Sequence, residues 1–508
     1  MEQHDTAIAR AGRMTVYELF RSRAQMNPDA IAIDAPDRLL TYRAFDQEVR
    51  RVAGALKARG LRRGDRIALL SENRAEYVVF EMAAAMLGLI VACQNWRLAP
   101  DELTHCVTIV SPKLLITSTR FAALASQCGF ANMPHAVIEQ HYAEWSAHAE
   151  TEADPDVDPE DGLVILYTSG TTGLPKGALI SQRAEIARMA AMRLDIRADE
   201  GDASLAWAPM FHMGSTDQML GALMSGAPVI VCDGPDAPRI VQKSAEYKLA
   251  WYLLMPGMME PVIEEYKRTG LKPKGARAVG AMADLVPLTQ IAEITTLTGA
   301  PFYNTFGATE TGLPPCSSVL IPPGTIPATL SKRQSSLCTI RLVDADGNTV
   351  PDGEPGEMAI RGPTVFSGYW NAAETNARDF KDGWFRMGDL FRRNPDGSYD
   401  FVDRAKYMIK SGGENIYPAE IERVLLADPR VADAAIVRKK DPKWGEVPVA
   451  FVAARDATLT ESDIEVLCRA KLAGYKRPKE VRFIAFEAFP RSTTGKIQRH
   501  AMEAWLTN

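Results

Sequence analysis

Residues 167–178 read YTSGTTGLPKGA, a run of glycines and hydroxyl residues that ends on a lysine. An apolar strand, Gly162–Tyr167, enters it, and a helix is expected from near Ser181. In a strand–loop–helix setting, glycines let backbone N–H groups turn toward an anion. Ser169, Thr171 and Thr172 add hydroxyl donors, and Lys176 adds a positive charge. The segment therefore reads as a polyphosphate cradle. It is not a P-loop, because G-x-x-x-x-G-K-[ST] is absent. A plain surface turn is the other reading that such a cluster allows.

Outward from the loop, short apolar runs alternate with helical stretches. The runs are Arg66–Leu70, Leu114–Thr117, Leu163–Tyr167, Ala203–Trp207, Val229–Cys232 and Trp251–Met255. A helix with an acidic first turn is predicted over Tyr42–Arg59, and a buried small-residue helix over Tyr77–Gly88. This alternation predicts parallel strands joined by crossover helices. From about Ile340 the texture changes: Asp346-Gly347, Asp352-Gly353 and Asp396-Gly397 punctuate short alternating segments, as tight hairpin turns require. Pro418-Ala-Glu then opens a helix with acid in its first turn. The expected fold is α/β and α+β: a large N-terminal domain of parallel α/β subdomains with a small β-barrel-like subdomain, residues 1–402, and a small mobile α+β domain, residues 403–508.

Composition narrows the class. The chain has 508 residues, 46% hydrophobic and 24% charged, which fits ordinary globular domains and not disorder. Lys+Arg number 58 against 64 Asp+Glu, a net charge of −6, so no bulk positive field exists to gather nucleic acid. The seven cysteines are scattered and form no C-x-x-C pair, which disfavours a zinc site and fits reduced thiols in a cytoplasmic protein. The first residues lack the apolar segment of a secretory signal, and no run is long enough for a membrane span.

Further motifs follow the loop in order: APMFH (208–212), FGATET (306–311), WFRMGDL (384–390), DRAKYMIKSGGENIYPAEIE (403–422) and PRSTTGKIQR (490–499). Together with YTSGTTGLPKGA they resemble the adenylate-forming superfamily, in particular its AMP-forming acyl-CoA synthetases, over essentially the whole chain. The resemblance implies two half-reactions. A carboxylate attacks the α-phosphorus of ATP to give acyl-AMP and pyrophosphate, and the thiol of coenzyme A then displaces AMP. Magnesium and placed cations are needed where an anion meets a polyanion.

The same resemblance implies roles for single residues. Lys496 is the adenylation lysine, Glu310 the magnesium carboxylate, and His212 a residue that borders the acyl pocket and orients the substrate carboxylate. Thr168, Ser169, Gly170, Thr171, Thr172, Gly173 and Lys176 hold phosphate, with Gly307 and Thr309 beside them. Phe306 stands where an aromatic stacks on adenine. Asp389 and Arg404 meet the ribose, and Met387 replaces a common threonine. Lys406 is the hinge. Lys410, Gly412, Gly413, Glu414 and Trp444 line the coenzyme A channel, and the cluster Lys471, Lys476, Arg477 and Lys479 either meets the nucleotide of coenzyme A or is a solvated face.

For the acid, His212, Met213, Met255, Ala281, Met282 and Thr305 form the implied pocket. Eight of the twenty methionines fall between Met210 and Met282, and flexible thioethers suit an adaptable apolar cavity. The expected substrate is an aryl, arylalkyl or medium-chain carboxylic acid. Asp217 either reads a polar substituent or faces solvent. Two segments depart from the family pattern: Gly280-Ala-Met-Ala, where Gly-Ala-Pro is frequent, and Thr329–Arg333, where a glycine-bearing stretch is usual. The alternatives are an adenylating enzyme with oxygen or a carrier protein as acceptor, and a non-catalytic relative that binds nucleotide or acyl groups. A homodimer stays open as the assembly.

Overall fold

The computed structural model describes residues 11–130, 133–168, 174–412, 414–456, 458–491 and 497–506, with backbone alone at Pro256 and Leu285. Ser169, Gly170, Thr171, Thr172, Gly173, Gly413 and Lys496 lie outside the described residues. The chain divides into two compact units. The first is Met1–Ile340 with Ile360–Phe385; the second is Arg341–Ala359 with Arg386–Asn508.

Among the described residues the first unit holds three large sheets and one two-stranded sheet. A six-stranded sheet runs in the order His135–Val137, Leu114–Thr117, Arg66–Leu70, Ile90–Cys93, Gly162–Thr168, Lys176–Ser181. All its pairings are parallel except the last. A second sheet joins Ile31–Asp34, Val229–Val231 and Ser204–Ala206 in parallel, with Leu39–Thr41 antiparallel at its edge. A third joins Leu249–Leu253, Ala276–Gly280 and Phe302–Asn304 in parallel, with Val319–Ile321 antiparallel. Parallel strands need both faces covered, and their apolar runs reflect this. Helix Ala75–Leu87 shows the same logic: all of its residues are buried, as an all-round apolar helix must be.

Local chemistry sets the helix starts. Thr41 accepts a hydrogen bond from Ala44 N and begins Tyr42–Ala58; no acid occupies that first turn, contrary to the sequence expectation. Ser181 does the same for Gln182–Ile196. The strand Lys176–Ser181 is a second correction. The glycine-rich segment enters a hairpin partner strand before the helix, so a helix N-terminus does not close the loop directly. The strand near 251 also lies earlier than expected, at Leu249–Leu253.

The second unit holds most of a five-stranded sheet built on Thr339–Val343, Pro355–Arg361, Trp384–Arg393 and Tyr399–Arg404. Its turns use Gly347, Gly353 and Gly397 at positive φ, as the Asp-Gly pairs foretold. A terminal α+β module follows, with the sheet order Glu414–Ile416, Ile409–Ser411, Gly445–Ala454, Val431–Asp441; Glu480–Phe483 pairs parallel to Gly445–Ala454. Helix Pro418–Leu426 starts on its proline and packs Ile421 and Leu425 into this module's core. Among the described residues no helix is long and apolar enough to cross a membrane.

Candidate active site

In the first unit, Thr168 stands opposite Lys176 where the glycine-rich hairpin leaves its strands. Residues 367–370 run beside the outer strand: Ser367 N donates to Leu179 O at 2.8 Å, Leu179 N to Gly368 O at 3.0 Å, and Trp370 N to Gly177 O at 2.7 Å. This pairing carries Tyr369 into the site. Lys176 Nζ lies 5.2 Å from the centre of the Tyr369 ring, and the Tyr369 hydroxyl donates to Glu310 Oε1 at 2.7 Å. Two residues singled out in the sequence thus meet one phenol, Lys176 over its ring and Glu310 at its hydroxyl. Tyr369 itself was missed, because nothing local in SGYW marks it.

Glu310 is also fixed through its backbone, where Phe366 N donates to Glu310 O at 2.8 Å. The hairpin Gly307–Ala308/Gly312–Pro315 shapes this tip. A Cβ on Gly307 would meet Gly312 O at 1.9 Å, so only glycine fits. Phe306 is buried, its N–H donating to Ser317 Oγ at 2.9 Å. Among the described residues no group of three or more potential ligands could hold a metal by itself. One carboxylate with a fixed oxygen suits magnesium, which keeps water and phosphate oxygens in its shell. Glu310 would hold it as the protein's ligand.

Near Glu310 a small cleft runs between two helices. Arg188, Met189 and Met192 face it from Gln182–Ile196, and Met213, Gly214, Asp217 and Gln218 from Met213–Ser225; Trp251 and Leu313 complete the wall. Of the six residues expected to form the acyl pocket, Met213 lines this cleft. His212 caps the helix that begins there, its Nδ1 accepting from Gly214 N at 3.1 Å. Met255 and Ala281 pack against the hydrophobic core, Thr305 is buried, and Met282 precedes the short turn Ala283–Leu285. Met210, Met219, Met224, Met258 and Met259 are core residues.

The polar part of the cleft was half legible. Asp217 does not face solvent: its side chain is 14% exposed and pairs with Arg188, whose side chain is 2% exposed. Arg188, absent from the sequence reading, also donates from Nη2 to Thr309 O at 3.0 Å and from Nε to Thr364 O at 3.1 Å. Nearby Glu185 and Glu81 are fully enclosed, and burial pushes both carboxyls well above the usual range.

The two segments that depart from the family pattern meet. Lys332 is 0% exposed and pairs with Asp284, while its Nζ also donates to Asn304 Oδ1 at 3.1 Å. Asn304 Nδ2 donates to Leu330 O at 3.0 Å, and Ala283 N donates to Asn304 Oδ1. This staple fixes residues 283–284 against the strand that leads into Thr305 and Phe306.

In the second unit, Asp389 and Arg404 are register partners on neighbouring strands, with Arg404 Nε 2.8 Å from Asp389 Oδ1. Gly388 N donates to Glu357 Oε1 at 3.0 Å, so Glu357 holds the strand beside Met387. Lys406 lies in a single turn, Ala405–Tyr407, its Nζ 4.8 Å from the Tyr407 ring centre. Of the residues expected to form the thiol channel, Lys410, Gly412, Glu414 and Trp444 lie where the hairpin of Ile409–Ser411 and Glu414–Ile416 meets the turn before Gly445. Lys410 N donates to Glu446 Oε2, Ser411 opposes Glu414, and Gly412 N donates to Trp444 O at 2.8 Å. Gly412 has φ +59°, and a Cβ there would meet the Trp444 ring at 2.7 Å, which demands glycine. Of the basic cluster, Lys476 is occupied by Glu420 at 2.8 Å and Arg477 Nε by Leu472 O at 3.1 Å.

Residues 20–370 match the family model described as AMP-binding enzyme, and residues 420–496 that of the AMP-binding enzyme C-terminal domain. An indoleacetate–CoA ligase of Aromatoleum aromaticum is 34% identical over 500 residues, covering 96% of this chain and 97% of its own. A feruloyl-CoA synthase of an Amycolatopsis species is 31% identical over 479 residues, covering 94% and 96%. The o-succinylbenzoate CoA synthetase of Bacillus subtilis, solved with its acyl-adenylate, superposes with a TM-score of 0.86 at 26% identity over 97% of this chain and 98% of that one. The same enzyme solved with ATP and a magnesium ion gives a TM-score of 0.84, at 26% identity over 95% and 98%. Matched along nearly its full length, the chain belongs to the AMP-binding enzyme family, that of the AMP-forming acid–CoA ligases.

Proposed function

We propose that this protein joins an aryl or arylalkyl carboxylic acid to coenzyme A through an acyl-adenylate, releasing AMP and pyrophosphate. The observation that carries the reading is the Lys176–Tyr369–Glu310 arrangement beside a largely apolar cleft. A cation and an oriented carboxylate gathered on one phenol support reading this corner as the holder of a polyphosphate and its counter-ion. Magnesium, when bound, would offset charge on the phosphate oxygens. Arg188, tied to Thr309 O, braces the backbone next to Glu310.

In the first half-reaction a carboxylate oxygen of the acid attacks the α-phosphorus and pyrophosphate leaves. Positioning and charge neutralisation serve this step, and no protein nucleophile is required. The acid is already ionised at neutral pH, so His212 orients it without acting as a base. In the second, the thiolate sulfur attacks the acyl carbon and AMP leaves. The roles of Lys496 as adenylation cation, Lys406 as hinge, Asp389 with Arg404 at the ribose, and Lys410, Gly412, Gly413, Glu414 and Trp444 along the thiol path rest on the motif resemblance. The named relatives act on indoleacetate and ferulate, which favours the aryl reading over a medium-chain acid.

The test is a product assay with ATP, Mg²⁺, coenzyme A and a panel of acids, resolved by mass. Acid-dependent AMP and acyl-CoA support the ligase. Acyl-AMP without thioester, under every acid tried, would favour a different acceptor.

A further inference from the structure

Resting on the ligase reading above, we propose that the activated acid is an aryl or arylalkyl monocarboxylate with a neutral O–H or N–H donor at its far end, and that Asp217 receives this donor. The cleft wall is thioether, ring and aliphatic surface from Met189, Met213, Trp251 and Leu313, which suits a flat aromatic body. Its polar corner is the Arg188–Asp217 pair, and the donors and acceptors there are unequally used. Arg188 gives Nε to Thr364 O and Nη2 to Thr309 O, and Nη1 reaches both Asp217 oxygens at 3.3 Å. The guanidinium is therefore held in place by backbone.

Asp217 is differently placed. A carboxylate offers about four lone-pair positions, and the two side-chain bonds Asp217 accepts from Arg188 are long. The neighbouring Gln218 amide is turned back on its own helix, Nε2 donating to Gly214 O at 2.5 Å. What the corner presents to a ligand is an acceptor.

Two acid classes are thereby disfavoured. A second carboxylate would face Asp217 with its adjacent cation, Arg188, already committed, and Glu185 and Glu81 lie close by, both Glu185 oxygens and Glu81 Oε2 having no hydrogen-bond partner among the described residues. An unsubstituted alkyl tail would lie against Asp217 and offer its oxygens no donor. Sites built around a buried polar group discriminate strongly against isosteres that lack the matching group.

The experiment compares near-isosteric acids with and without the donor: indole-3-acetate against benzothiophene-3-acetate, and 4-hydroxyphenylacetate against 4-fluorophenylacetate, with 2-carboxyphenylacetate as the dianion. Two readouts are taken on the full-length protein: kcat/KM for acyl-CoA formation, and the Kd of each acid from quenching of tryptophan fluorescence. The expected result is a preference of at least about tenfold for the donor-bearing member of at least one pair, in both readouts, with the dianion weakest. In Asp217→Leu, and in the charge-balanced double variant Arg188→Met/Asp217→Leu should the single one fail to fold, that preference should fall to within about twofold. Wild-type ratios within twofold in both pairs, or a preference that persists without Asp217, overturn the inference while acyl-CoA formation keeps the ligase reading. Preferential binding of the donor-bearing acids with no thioester formed would sink the ligase reading and leave the Asp217 contact standing.

Discussion

The Tyr369 hydroxyl donates to Glu310 Oε1 at 2.7 Å while its ring lies 5.2 Å from Lys176 Nζ, so one side chain positions both a carboxylate and a cation. Removing the hydroxyl should leave Glu310 in place but free to rotate. Tyr369→Phe is expected to raise the Mg²⁺ concentration needed for half-maximal acid-dependent ATP–pyrophosphate exchange several-fold, with the KM of the acid little changed. A net bond of about 1–2 kcal/mol corresponds to roughly a tenfold effect. An unaltered Mg²⁺ profile would show that the phenol does not position Glu310.

Asp389 is 2% exposed, and Arg404 reaches it across a strand pair. Arg404→Leu takes away the guanidinium that offsets a buried carboxylate, which should cost about 1–2 kcal/mol given that Arg404 is itself 41% exposed. A thermal melt reads that loss. If the pair also holds the ribose, the KM for ATP rises about tenfold in the adenylation assay, and Arg404→Lys recovers stability better than nucleotide affinity, because an ammonium lacks the planar fork. A melt shifted without any change in KM for ATP would make the pair structural only.

Lys496 carries the sharpest prediction that rests on sequence alone. Lys496→Ala should reduce acyl-AMP formation by more than about 100-fold, on the scale of a lost electrostatic contact in a transition state, and largely spare thioester formation from supplied acyl-AMP. Equal loss in both half-reactions would refute the assignment.

Much of the scaffold was legible because local signals agree. Leucine- and isoleucine-bearing apolar runs near 66, 114 and 163 have the composition of doubly covered parallel strands, and the Asp-Gly pairs after 340 encode turns. Lys176–Ser181 was not seen, because KGALIS directly abuts both the loop and a helix and looks like a lead-in to the helix. The residues missed at the site share a different cause. Tyr369 meets Glu310 across 59 positions, and Arg188 meets Asp217 across 29. Neither partner is marked by its neighbours, and only the packing of helix Gln182–Ile196 on Met213–Ser225, or of residues 366–371 on the outer strand, brings them together. Thus the chemistry carried by contiguous motifs was readable, and the side chains that brace it were not.

The buried Lys332–Asp284 pair makes a double-variant prediction. Lys332→Met leaves Asp284 and Asn304 Oδ1 without their ammonium partner and should destabilise by about 3 kcal/mol, as breaking a buried pair does. Lys332→Met/Asp284→Leu should recover a large part of that in urea unfolding, since two apolar groups carry no stranded charge. No recovery in the double variant would mean that the ammonium matters chiefly through Asn304 and the carbonyl of Leu330.

Asp403, beside Arg404 at the end of the strand Tyr399–Arg404, is 2% exposed, and burial pushes its carboxyl from 3.8 up to about 6 even though Ala419 N and Arg404 N donate to it. Because the folded value lies above the unfolded one, the folded state holds a proton that the unfolded state has already lost between about pH 4 and pH 6. Stability from this group is therefore fully present below pH 4, falls as pH rises through that window, and stays lower above it, by on the order of 2–3 kcal/mol. Asp403→Asn surrenders one backbone bond at every pH but cannot ionise. Relative to wild type it should gain stability steadily from pH 4 to pH 7, as read by urea midpoints at intervals across that range. A difference between the two proteins that does not change with pH would mean Asp403 ionises normally, with its two backbone donors outweighing its burial.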